Sequence, residues 1–115
     1  MKYAIYRLKE TEGNERRLFM SSSYLQTTGS WPLKLEDYEK IYEGTVSASS
    51  TMEALEWVYI KFNLCHPEDF HRHSMSVGDI VILTDTEKPG AHFCEPIGFT
   101  EVPEFYAALT AKEGF

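Results

Sequence analysis

The chain has 115 residues, 43% of them hydrophobic, with seven Phe, seven Tyr and two Trp. It is long enough for one domain with its own core, and too apolar for an intrinsically disordered segment. Eleven Lys and Arg against eighteen Asp and Glu leave a net charge of −7, which disfavours nucleic acid as a general ligand because phosphate binding depends on clustered cations. No apolar run approaches membrane-spanning length and the opening MKYAIYRLKE lacks a secretory core, so a cytoplasmic protein with two free thiols, Cys65 and Cys94, is expected.

Residues 2–8 alternate, with Tyr3, Ile5 and Arg7 on one face and Ala4, Tyr6 and Leu8 on the other, which predicts a strand. Gly13-Asn14 marks a turn, after which 17–20 is expected to return as a short second strand of a hairpin. A serine among Ser21, Ser22 and Ser23 caps a short helix through Gln26 that Gly29 ends, and Trp31-Pro32 opens an irregular stretch. One helical turn is expected over 35–38, then a strand over 40–46 with Gly44 as its candidate bulge.

Ser50-Thr51-Met52-Glu53 has the capping-box pattern of a helix start. Met52, Leu55, Val58, Tyr59 and Phe62 then recur at helical spacing as an apolar stripe, with Trp57 at its margin. Asn63 and His66-Pro67 stop that helix, since the residue before proline avoids helical dihedrals. A turn over 67–70 leads to Val77-Gly78-Asp79-Ile80-Val81-Ile82-Leu83, which reads as a central strand buried on both faces. Lys88-Pro89-Gly90 reverses the chain, 91–99 forms the partner strand with Pro96 at an edge or bulge, and 104–111 makes a terminal helix carrying Phe105, Tyr106 and Leu109. The expected architecture is a single α+β domain. Its sheet is mixed but largely antiparallel, with four or five strands, and one main helix packs on one face.

No complete catalytic or cofactor motif is present. Cys65, His66, His71 and His73, with His92 and Cys94 further on, are zinc-ligand types, but the adjacent Cys65-His66 pair points its side chains apart, and no metal is assigned. Glu68, Asp69 and Asp79 read as an acidic turn, because a hard-cation site needs several converging oxygens. Ser74, Ser76 and Asp79 beside His73 share only the composition of a catalytic triad, which is defined by geometry. The serines are expected to satisfy turn amides, and His73 to hydrogen-bond backbone groups, Asp69 or Asp79. Trp31 and Trp57 stand out as candidate interface anchors. The candidate binding set is therefore Asp69, His73, Ser74, Ser76 and Asp79, with no catalytic residue, metal ligand or cofactor.

Six blocks carry a family resemblance: Tyr3-Ala4-Ile5-Tyr6-Arg7-Leu8; Tyr42-Glu43-Gly44; the helix ending Lys61-Phe62-Asn63; Pro67-Glu68-Asp69-Phe70; His73-Ser74-Met75-Ser76-Val77-Gly78-Asp79-Ile80-Val81; and Ile97-Gly98-Phe99 with Val102-Pro103-Glu104-Phe105. Together they span nearly the whole chain, which resembles the YodL-like domain, a small uncharacterised family of bacterial mobile elements, particularly of Firmicutes. Two positions depart from the family pattern: Gly78, where serine is usual, and Cys94-Glu95-Pro96, where a valine-aspartate-serine run is usual. The second places the geometry of the last strand in question. The resemblance implies one domain over 1–115 and brings no enzymatic activity. It implies a cytosolic accessory role in a conjugative element or phage, and the function expected is a non-enzymatic binding or regulatory module that contacts an unknown protein partner, with 67–79 as the contact surface. The alternatives are a nucleic-acid-related enzyme or binder centred on His73, Asp69 and Asp79, or an acidic anti-restriction mimic.

Overall fold

The computed structural model describes residues 1–86 and 88–113; Glu87 and the last two residues of the domain expected over 1–115 lie outside the described residues. Five strands, β1 (Lys2–Leu8), β2 (Tyr38–Thr45), β3 (Ile80–Leu83), β4 (Gly90–Cys94) and β5 (Phe99–Glu101), form one open sheet in the order β2-β1-β3-β4-β5. Every strand pair is antiparallel, so the parallel component of the expected mixed sheet is absent from it. The α+β class and the central place of 80–83 stand, and all four residues of β3 are buried.

Helices cover both faces of the sheet, where a single main helix on one face is predicted. The helix α2 (Thr51–Leu64) covers one face with Ala54, Leu55, Val58 and Phe62, against Tyr3, Ile5, Val81, Leu83 and Cys94. On the other face α1 (Ser22–Thr27) contributes Leu25 and α3 (Pro103–Glu113) contributes Phe105 and Leu109, against Tyr6, Leu8, Ile80, Ile82 and Phe93. Period-two alternation in β1 and β3 divides their side chains between the two cores, and each fully buried Phe, Ile or Leu contributes about 1.5–3 kcal/mol of transfer free energy. Phe62 anchors an aromatic cluster with Tyr42 and Phe70, at centroid distances of 5.1 and 4.9 Å, favoured edge-to-face spacings.

The predicted stripe on α2 is wrong at two positions: Met52 and Tyr59 are 61% and 44% exposed, and Ala54 takes part in the buried face instead. Ser50 caps this helix as its pattern predicts, its Oγ accepting from Glu53 N–H at 3.1 Å, while the Glu53 carboxylate reaches back to Ser49 N–H at 3.2 Å rather than to Ser50. The expected strand at 17–20 does not form. Residues Glu12–Arg17 make a 3₁₀ helix and Phe19 adopts φ 61°, a left-handed conformation that interrupts an extended strand. The bulge in β2 lies at Ile41, which is skipped between the Tyr42–Ile5 and Lys40–Tyr6 pairs, and not at Gly44. Gly44 serves a different need, because a Cβ there would stand 2.9 Å from the Tyr3 hydroxyl.

The strand expected over 91–99 is two strands, broken at 95–98. The departure noted at Glu95 explains part of the break. Its carboxylate accepts from Ser22 N–H at 3.0 Å, from the Ser22 hydroxyl and from Thr100 Oγ1 at 2.5 Å, tying the β4–β5 turn to the first turn of α1. These bonds hold the Glu95 carboxyl below the usual range against the opposing effect of partial burial. Pro96 therefore sits in a turn and removes no ladder donor.

Candidate functional site

The 67–79 segment lies between α2 and β3 and is closed over the end of the α2-facing core by two buried side chains of its own, Phe70 and Met75. A single residue of β1 fastens its second half. Arg7 follows Tyr3 and Ile5 on the α2-facing side of the strand, and Asp79 precedes Val81 and Leu83 on the same side of β3. The β1–β3 register pairs Tyr6 with Ile80 and Ile5 with Val81, so one further step brings Arg7 opposite Asp79. Both are buried, at 6% and 2% exposure, where a lone charge is strongly disfavoured and a paired one is tolerated.

The geometry satisfies the guanidinium completely. Nε–H donates to Asp79 Oδ1 at 2.9 Å, Nη1 to His73 Nε2 at 3.1 Å and the His73 carbonyl at 3.2 Å, and Nη2 to the Ser74 carbonyl at 3.1 Å and Asp79 Oδ2 at 2.7 Å. All five N–H donors of an arginine are thereby used, and none is left for a ligand. Asp79 Oδ2 also accepts from Ser76 N–H at 2.8 Å. Gly78 turns the chain into β3 at φ 97°, a conformation that glycine adopts without the strain a serine there would carry.

The predicted residues fall into two groups. His73, Ser74, Ser76 and Asp79 are gathered around Arg7. His73 bonds neither Asp69 nor Asp79: its Nδ1 donates to the Ser74 carbonyl at 2.9 Å, which leaves Nε2 as the acceptor for Arg7, and the ring stands edge-on to Phe19 at 5.8 Å. Glu10 Oε1 lies 3.4 Å from Nε2, an ion pair only when the ring is protonated. Ser76 Oγ donates to the Ser74 carbonyl at 3.1 Å, and Ser74 Oγ meets His66 Nε2 at 3.1 Å. Asp69 stands apart from this group. It is exposed and accepts from the Tyr42 hydroxyl at 2.9 Å, a bond that, after the larger effect of desolvation, raises the tyrosine's pKa.

This arrangement holds a loop rather than activating a nucleophile. The Asp79 carboxylate serves Arg7 and a backbone amide, so it does not orient His73, and among the described residues no carboxylate holds the second nitrogen of His66 beside Ser74. Among the described residues no group of three His, Cys, Asp or Glu side chains comes close enough to hold a metal ion. Cys65 is exposed at the end of α2 while Cys94 is buried in the α2-facing core, where burial pushes its thiol up to about 12. Trp31 and Trp57 dock against the core edge-on, at 6.0 Å from Phe93 and 5.9 Å from Tyr3, and Trp57 remains 38% exposed. Beside the loop lies an open cleft of about 470 Å³ lined by Arg7, Lys9, Glu10, Glu39, Arg72 and His73, on whose rim Arg72 pairs with Glu39 at 2.6 Å. No helix of the described residues is long and apolar enough to cross a membrane.

Arg7 is the residue that sequence reasoning placed on a face without giving it a role. An arginine in the apolar register of a strand needs a buried carboxylate, and Asp79 heads the continuous apolar run of β3.

A family model described as the YodL-like domain matches residues 2–105 of the 115-residue chain, and the chain belongs to that family. No curated protein and no solved structure matches it.

Proposed function

We propose that this YodL-like domain is a non-enzymatic binding or regulatory module, a cytoplasmic accessory of a conjugative element or phage, that recognises a protein partner through the 67–79 loop. In this reading Asp69 and His73 make direct contact, while Ser74, Ser76 and Asp79 hold the loop in the shape the partner meets. The observation that carries it is the complete use of the Arg7 guanidinium by that loop. A loop clamped to the sheet displays its exposed side chains His71, Arg72 and His73 in one arrangement, and preorganisation lowers the entropy cost of association. The neighbouring cleft mixes cations with Glu10 and Glu39, a surface better matched to a protein's mixed charges than to a run of phosphates.

The test is affinity capture from the native host with the intact chain and with Asp69→Ala and His73→Ala, both at exposed positions. One protein should be retained by the native chain and lost with either variant, each shown to be folded by circular dichroism. Retention by both variants rules the surface out. Turnover of nucleotide or nucleic acid by the purified chain, abolished in folded His73→Ala, rules out the non-enzymatic reading.

A further inference from the structure

The sheet has two outer edges, and they differ in chemistry. The outer strand β2 carries a bulge at Ile41 and the Lys40–Glu43 ion pair, devices that discourage another strand from adding. The strand β5 has neither. Val102 N–H reaches the Ala91 carbonyl at 2.9 Å, and the alternation of an antiparallel ladder then directs the backbone N–H and C=O of Phe99 and Glu101 away from β4, toward the open side.

Next to that edge runs a groove of about 380 Å³ between the outer face of α2 and the β4–β5 turn, lined by Met52, Tyr59, Ile60, Ile97 and Phe99. Ile97 is 94% exposed and Ile60 55%, and Met52 and Tyr59, which the helical spacing predicts to be buried, belong here. Glu56 and Glu95 line the same groove, Glu101 is exposed on the adjoining strand, and among the described residues no Lys or Arg lines it.

We propose that the β5 edge and this groove form a docking site for an extended segment of a partner protein that carries both apolar and basic side chains on the face it turns to α2. The segment adds as a sixth strand beside Phe99–Glu101, lays its apolar side chains against Met52, Ile60 and Ile97, and sets its cations beside Glu56 and Glu101. A strand of three residues supplies few backbone hydrogen bonds, so the groove provides the remaining affinity and the carboxylates select the charge. The same carboxylates disfavour a second copy of this chain, which would bring together two proteins of net charge −7 whose grooves, among the described residues, hold no Lys or Arg. The site lies on a different surface from the 67–79 loop and does not rest on the function proposed for it.

The experiment titrates the full, isotope-labelled chain with a capped valine–lysine peptide, in which valine and lysine share one strand face and threonine fills the positions between them, with a valine–glutamate peptide of the same layout as control, and follows backbone amide NMR shifts. Shifts are expected at 97–101 and along 52–60, weakening as salt rises. Ile97→Ser and Glu101→Lys, both at exposed positions, should each weaken binding about tenfold, and methylating alternate peptide nitrogens should abolish it. Arg72→Ala, on the loop surface, should leave peptide binding intact. The proposal is overturned if the valine–lysine peptide does not bind, if the valine–glutamate peptide binds equally, or if Ile97→Ser has no effect. A dimer that Ile97→Ser dissolves would overturn it in favour of a second copy.

Discussion

Replacing Arg7 by methionine keeps an apolar stem in β1 and deletes the guanidinium, so the Asp79 carboxylate, 2% exposed, is left with the Ser76 amide alone. The His73 and Ser74 carbonyls lose their Arg7 donors as well. Removing one partner of a buried ion pair typically costs about 3–5 kcal/mol, because the remaining charge stays desolvated. For a domain of this length that corresponds to a fall in melting temperature of about 12–20 °C, a large share of a total stability of about 5–15 kcal/mol. Circular dichroism melts and urea titrations of Arg7→Met, Asp79→Leu and the double variant measure it. The double variant removes both charges, so it should be less destabilised than the sum of the singles by at least about 1.5 kcal/mol. A loss below about 1 kcal/mol for Arg7→Met, or additivity in the cycle, would refute the assignment of Arg7 as the clamp of the 73–79 segment.

Ser50→Ala removes the N-cap of α2 and should destabilise by about 1 kcal/mol in urea titration, with the 51–54 amides exchanging faster. Gly44→Ala drives a Cβ into the ring of Tyr3, which is 5% exposed and packed on Trp57 and Phe62, so a loss of about 1–3 kcal/mol is expected in the same assay. His92 is buried, its Nε2 has no hydrogen-bond partner among the described residues, and burial lowers its pKa from 6.5 against the opposing pull of Glu101. The unfolded chain therefore takes up the proton first as pH falls below 6.5, and stability should decline there by at most about 1.4 kcal/mol per pH unit for this one proton. His92→Phe should flatten that part of the melting-temperature profile between pH 7.5 and about 5.5; an unchanged slope would assign the acid sensitivity to other groups.

The elements legible from the residues alone are those in which one local pattern suffices. The β1 alternation, the Ser50 cap, the helical turn before β2 and the apolar run of β3 each state their structure within a few residues, and the family blocks do the same for the domain as a whole. Errors arose where two local readings competed and tertiary contacts chose between them. Met52 and Tyr59 share a helical spacing with the buried residues of α2, yet the face packed on the sheet runs through Ala54, Leu55, Val58 and Phe62 and leaves them on the groove. The run 91–99 reads as one strand until Glu95 is drawn to Ser22, seventy-three positions away in sequence. The candidate site shows the same division. The loop's His, Ser and Asp residues are visible in the sequence, but their grouping around Arg7 and the separation of Asp69 depend on the pairing of β1 with β3, and register between strands so distant in the chain is set by how two cores pack at once.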